Sequence, residues 1–172
     1  MSQSATLRRS RIAGVGHYVP ERVIKNADLE PIMDTSDAWI QERTGIRERR
    51  WFEEGKDTTS NMGTAAAQRA LAMAGIAASE IELIIFATLS PDYVFPGSGV
   101  LTQRQLGISD VPCLDVRNQC SGFIYALSVG DQFIRTGMYN NVLVIGSEIH
   151  SSGLDISTRG RAVSVIFGDG AG

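Results

Sequence analysis

Residues 81–89 read Ile-Glu-Leu-Ile-Ile-Phe-Ala-Thr-Leu, the longest apolar run in the chain. No other feature restricts the fold as much. The run is far too short to cross a bilayer, which takes about 20 apolar residues. Past Glu82 it shows no alternation of apolar and polar side chains, so both faces need cover. A parallel strand with a helix layer on each side provides that cover.

The flanking sequence supports this reading, because apolar runs of strand length alternate with helical patterns. Residues 12–19 read as a first strand ending at Pro20. Asp34-Thr35-Ser36-Asp37 offers N-caps for a short helix near 38–43, which Gly45 stops. Thr58-Thr59-Ser60 opens a longer helix that Gly75 closes. After a Pro- and Gly-punctuated loop at 90–98, the pattern predicts a helix near 99–106 and a short buried strand over 111–116. It goes on to predict a helix over 123–135 and a buried strand over 142–145, with another apolar run at 163–167. The fold class is α/β, with a mostly parallel sheet covered by helices on both faces. No linker or repeat divides the chain, so residues 1–172 read as one domain. Gly168-Asp169-Gly170-Ala171-Gly172 is a turn that normally leads into another element, and the chain reads as cut there.

Composition closes off other classes. The 172 residues are 43% hydrophobic and 20% charged with a net charge of −3, which is ordinary for a globular domain and gives no basic excess to hold nucleic acid. Two cysteines, Cys113 and Cys120, make neither a disulfide framework nor a CxxC zinc spacing, so no metal site is expected. The stretch 7–11, Leu-Arg-Arg-Ser-Arg, has no apolar signal core. A cytoplasmic protein with no membrane partner is the expectation.

Cys120 leads the candidates for chemistry. It follows the 111–116 strand and immediately precedes Ser121-Gly122-Phe123, where a helix begins. The helix dipole and unpaired N–H groups favour a thiolate there, and a tight strand-to-helix turn would present the sulfur to a substrate. A buried structural cysteine is the competing reading, and Cys113 suits that role better. His17 ends the first strand and His150 follows the 142–145 strand, and both read as loop or surface residues. Gly14-Val15-Gly16 and Gly168-Asp169-Gly170 lack the dinucleotide fingerprint and read as turn glycines. Fourteen arginines stand against two lysines, and Arg43, Arg47, Arg49 and Arg50 crowd between Trp39 and Trp51. Clustered Arg beside aromatics is suggestive, because a guanidinium binds phosphate through a fork and stacks on rings, although a solvated helix face would look the same.

Asn26-Ala27-Asp28-Leu29-Glu30, Asp34-Thr35-Ser36-Asp37-Ala38-Trp39-Ile40 and Arg43-Thr44-Gly45-Ile46-Arg47-Glu48-Arg49 resemble the N-terminal half of the 3-oxoacyl-acyl-carrier-protein synthase III family. Cys120-Ser121-Gly122-Phe123-Ile124-Tyr125-Ala126-Leu127-Ser128-Val129 and the stretch from Arg159-Gly160 to Gly172 continue the match in order. The resemblance implies one half of a thiolase-like fold. It implies that Cys120 takes an acyl group from acyl-CoA, and that the acyl group is then joined to malonyl-acyl-carrier protein with loss of carbon dioxide. Coenzyme A enters as part of the substrate, with no separate cofactor. The resemblance places Thr35, Trp39, Arg43 and Arg159 at the coenzyme A entrance, with Trp39 and Arg159 enclosing adenine. It also places Phe95 and Phe167 at the acyl pocket, Phe95 reaching across a homodimer interface.

The family's catalytic His and Asn belong to a second half that this sequence does not contain. Arg117-Asn118-Gln119 stands before Cys120 where many members carry small residues, so an acetyl primer is not assured. Other readings are a stand-alone half that binds acyl-CoA or a partner chain without catalysis, and a related synthase of another product. An isolated half should also expose apolar surface along the 123–135 helix and around Phe167.

Overall fold

The computed structural model describes residues 8–172, which leaves Leu7 of the basic N-terminal stretch outside the described residues. The elements run β1 (Val23–Lys25), α1 (Asp37–Thr44), β2 (Glu48–Arg50), α2 (Thr59–Ala74), β3 (Leu83–Ala87), α3 (Ser98–Gln105), β4 (Cys113–Val116), α4 (Gly122–Arg135), β5 (Val142–Glu148), α5 (Arg161–Ser164) and β6 (Gly170–Ala171). The main sheet has the order β4-β3-β5-β6. β3 is parallel to both neighbours, with Ile84 opposite Cys113 on one side and Leu143 on the other. β6 is antiparallel to β5, with Ala171 opposite Ser147.

All five residues of β3 are buried, as its unbroken apolar character requires. Side chains alternate across the pleat, so Ile84 and Phe86 join Leu143 and Ile145 of β5 against Ala67 and Leu71 of α2. Leu83, Ile85 and Ala87 face the other way and pack on Ala126 of α4. The sheet is thus helix-covered on both faces, as read from the sequence. β4 departs from its expected burial. It is the sheet's edge, and Leu114 and Asp115 are exposed.

Two further readings are corrected. Residues 12–19 form no strand, since their ladder pairing is the single bridge between Tyr18 and Ala171. Gly14 and Gly16 are not turn glycines. This extended segment lies against α2, and a Cβ at either position would run into the carbonyl of Ala70 or Ala66. Glycine is there because the backbones approach so closely.

A second core sits beside the sheet. The β1–β2 ribbon pairs Ile24 with Arg49, and α1 closes over it, burying Leu29, Ile40, Trp51 and Val165. The period of two in β2 turns Arg49 inward while Glu48 is exposed and Arg50 half-buried. Its guanidinium donates to Asn26 Oδ1 (2.8 Å), Ile24 O (3.2 Å) and Val165 O (3.0 Å). Burial pulls its pKa below the ordinary arginine value, and the Asp28 carboxylate opposes that pull. Arg49 therefore leaves the arginine cluster and serves as a structural tie. Among the described residues no helix is long and apolar enough to span a membrane.

Candidate active site

β4 ends at Val116, and residues 117–121 turn directly into α4. The turn is held by Gly122 N–H donating to Gln119 O (2.7 Å) and by Gln119 N–H donating to Asn118 Oδ1 (2.7 Å). Cys120 is exposed at this turn, at the carboxyl end of the parallel strands, where open α/β sheets bind ligands. Ser121, the N-cap of α4, makes no side-chain capping bond. The positive end of α4 beside Cys120 therefore carries no side-chain acceptor of its own. Cys113 sits half-buried in β4 under α3. Burial, first, and the Asp115 carboxylate push its thiol up to about 11. The structure thus gives the two sulfurs opposite surroundings, as the sequence suggested.

A second cluster forms where α1 meets the segment before α5. Ser36 caps α1 by accepting from Trp39 N–H (3.1 Å), which fixes the first turn and places the indole on the half-exposed flank. The guanidinium of Arg43, one turn on, stacks over that ring at 4.4 Å from its centroid. Arg161 covers it as well, at 4.7 Å. Arg161 also donates to the carbonyl of Asp34 and lies 3.3 Å from Asp34 Oδ2, while Asp34 N–H donates to Thr158 Oγ1 (2.9 Å). These bonds tie the two segments together. Thr35 lies between them, and its hydroxyl is buried with no hydrogen-bond partner.

Arg159 does not join this cluster. Its Nε donates to Asp155 (2.7 Å) and the side chain is otherwise exposed. Asp155 is held below the usual carboxylate range by its Ser157 hydrogen bond and then by Arg159. The resemblance pairs Arg159 with Trp39 around adenine, and in this structure the guanidinium groups over the Trp39 ring are those of Arg43 and Arg161. A two-residue offset beside Gly160 separates Arg159 from Arg161, and α5 turns only Arg161 toward α1.

The remaining candidates lie on the loops above the sheet. Phe95 is 91% exposed at the tip of the loop after β3, next to exposed Tyr93 and Val94. The loop is firmly anchored below. Glu148, at the end of β5, accepts from Thr88 Oγ1 (3.1 Å), Leu89 N–H (3.0 Å) and Ser90 N–H (2.7 Å), and Asp92 accepts from Ser60 N–H (3.0 Å) at the start of α2. Phe167 stacks on His150, ring centroids 4.6 Å apart, just before buried Asp169. Asp169 accepts from Phe52, His150 and Ser151 N–H groups at 2.7–2.9 Å, locking that corner. His17 is exposed and meets neither cluster through any side-chain bond. Sequence reading passed over Glu148 and Asp169. The available signal was an acidic residue one to two residues past a glycine that ends an apolar run.

A family model described as 3-oxoacyl-[acyl-carrier-protein (ACP)] synthase III matches residues 114–172. The beta-ketoacyl-[acyl-carrier-protein] synthase III of Chlamydia pneumoniae is 47% identical over 163 residues, covering 95% of this chain and 48% of the relative. A namesake from Vibrio vulnificus is 50% identical over 163 residues, covering 95% and 51%. Among solved structures, the 3-oxoacyl-[acyl-carrier-protein] synthase III of Aquifex aeolicus superposes with TM-score 0.88 at 46% identity, over 96% of this chain and 52% of that one. The priming beta-ketosynthase of a polyketide pathway gives 0.91 at 35% identity, over 99% and 50%. The chain spans about half the length of the curated relatives it matches. In sequence and in fold the chain is similar to about half of a 3-oxoacyl-[acyl-carrier-protein] synthase III.

Proposed function

We propose that this chain is the acyl-loading half of a condensing acyltransferase that acts in fatty-acid synthesis. The observation that carries the reading is the exposed Cys120 at the β4–α4 turn, set against the half-buried Cys113. In the loading step Cys120 Sγ attacks the thioester carbonyl of acyl-CoA. The carbon–sulfur bond to coenzyme A breaks, the thiol proton passes to the departing thiolate, and the acyl group remains on Cys120 as a thioester. Condensation with malonyl-acyl-carrier protein then releases carbon dioxide and returns the Cys120 thiolate. That step draws on the His and Asn groups of a second half for its oxyanion.

Thr35, Trp39, Arg43 and Arg161 form the coenzyme A entrance in this reading. Adenine takes the place of one of the two guanidinium groups that cover the Trp39 ring, the displaced guanidinium meets phosphate, and Thr35 lies between the two segments that frame the entrance. Phe167 is assigned to the acyl pocket. Phe95, on its anchored loop, is assigned to the pocket of a second copy in a homodimer.

Intact-mass spectrometry after incubation with acyl-CoAs of several lengths tests the reading, with Cys120→Ala as control. A single acyl adduct on the unmodified chain, absent from the variant, is the expected result. An adduct that persists in the variant, or none on a folded sample, overturns it. The adduct mass also separates a fatty-acid primer from the primer of another product, a distinction the likeness to a polyketide priming enzyme makes necessary.

A further inference from the structure

We propose that Asp92 is a positioning residue, which holds the loop tip Tyr93-Val94-Phe95 in one place and through Phe95 limits the length of acyl group that is accepted. The proposal rests on the assignment of Phe95 to the acyl pocket of a second copy.

Three large apolar side chains stand in a row at this tip, 61%, 87% and 91% exposed. Asp92 directly precedes them, and Ser98 begins α3 just beyond. These two side chains close the loop on itself. Ser98 Oγ donates to Asp92 Oδ2 (2.7 Å), and Asp92 N–H donates back to Ser98 Oγ (3.2 Å). The same carboxylate reaches α2. Asp92 Oδ1 accepts from Ser60 Oγ (2.9 Å), and Ser60 N–H donates to both carboxylate oxygens (3.0 and 3.2 Å). Ser60 Oγ accepts in turn from Gln105 Nε2 (3.1 Å) at the end of α3. Ser60 and Ser98 are both buried, so neither arm is open to exchange with water. One carboxylate thus joins the first turns of α2 and α3, where the helix dipoles favour a negative charge.

Among the described residues, no hydrogen bond holds residues 93–96 themselves. Phe95 therefore takes its position from the two ends of the tip, since its own ring makes few contacts. The return end is fixed against β4. Gly99 N–H donates to Asp115 Oδ1 (3.0 Å), and Gly97 passes so close that a Cβ there would lie 2.5 Å from the Asp115 carboxyl group. The leading end depends on Asp92. A ring that closes a pocket decides which chain fits, and one methylene changes selectivity roughly 10–200-fold in an apolar site. Asn at position 92 would still accept from Ser60 and could donate to Ser98 Oγ, whereas Ala keeps neither arm.

The test offers the chain an equimolar mixture of straight-chain acyl-CoAs, from acetyl to decanoyl, and reads the adducts on Cys120 by intact mass. Asp92→Ala and Phe95→Ala should each raise the ratio of long to short adducts by at least about fivefold. The double variant should shift no further than Phe95→Ala alone, because Asp92 acts through Phe95. Asp92→Asn should stay near the unmodified ratio. Ser98→Ala removes one arm only and should give a smaller shift in the same direction, which carries the test if Asp92→Ala does not fold. A purely structural role would lower the unfolding temperature and the total adduct and leave the ratio unchanged. That result, with Phe95→Ala still shifting the ratio, overturns the proposal, and so do additive shifts in the double variant. No shift in Phe95→Ala overturns the pocket assignment and this proposal with it, while loading on Cys120 stands. No adduct on a folded chain overturns the loading reading as well.

Discussion

The Cys113 thiol, raised from an ordinary value near 9 to about 11, makes stability fall at alkaline pH. Between those values the unfolded chain has lost the proton that the folded chain still holds. The stabilising term is therefore complete below about pH 9 and is lost as pH rises through about 11. The full gap would be worth about 2.7 kcal/mol, and solvent screening at a half-buried site reduces the expected loss to about 1 kcal/mol. Urea unfolding at about pH 8 and about pH 10.5 should show this loss in the unmodified chain and not in Cys113→Val. Tyr18, raised first by burial and then by Asp57, titrates in the same direction in both chains and cancels. Trp39 gives a second prediction. If its face binds adenine, Arg161→Ala should weaken coenzyme A binding by roughly tenfold, the scale of one well-placed cation–π contact, and Arg159→Ala by less than about twofold. Calorimetric titration with coenzyme A checks both. The placements of Cys113 within a strand and Cys120 before a helix were legible because strand and helix signals bracket each sulfur. Arg159 and Arg161 were not distinguishable, because two residues of register in a short helix decide which side chain meets α1, and no periodicity extends that far.

At the scale of elements, α2 lies so close to the sheet that Gly63 leaves no room for a methyl group. A Cβ there would sit 2.7 Å from the Phe86 ring and 3.1 Å from Ile145. Gly63→Ala should gain about 1 kcal/mol of helix propensity, but Phe86 is fully buried and cannot move aside, so overpacking of about 1–3 kcal/mol wins. A net loss of stability is expected in thermal unfolding, and a rise would show that α2 can shift outward. The larger helices were readable from caps and stops, as Ser36 with Gly45 and Thr58 with Gly75 demonstrate. The β1–β2 ribbon was not readable. Its strands are three residues long and rich in Lys, Glu and Arg, and only the neighbouring core decides that Ile24 and Arg49 face inward. Residues 12–19 show the opposite case. Their apolar pattern is strand-like, yet strand pairing depends on a neighbour, and here only Tyr18 meets one.

Across the whole molecule, apolar surface is left open where the sequence placed it. Ile124 is 61% exposed and Phe123 39% exposed at the start of α4, with Tyr125 beside them, and Val163 and Ile166 are exposed near Phe167. Phe167 itself is half-buried against His150, so the open surface lies around it and does not include its full ring. This much was legible because α4 carries apolar residues on more of its circumference than one sheet face can cover. Apolar patches of this kind drive association in water. Sedimentation velocity should therefore show the chain growing in mean size as its concentration rises, and the sample should bind an apolar dye. Replacing Ile124 and Tyr125 with Lys should lower dye binding by at least about twofold, while the unfolding temperature stays nearly unchanged because neither side chain contributes to the buried clusters. Phe95→Ser separates the two sources of association. If the loop tip mates copies of the chain, this variant abolishes a discrete dimer and leaves the dye signal intact. If α4 is responsible, the lysine variant alone restores a monomer. A clean monomer with no dye-binding patch in the unmodified chain would show that α4 packs differently in solution, and Cys120 at its N-terminus would then sit in different surroundings as well.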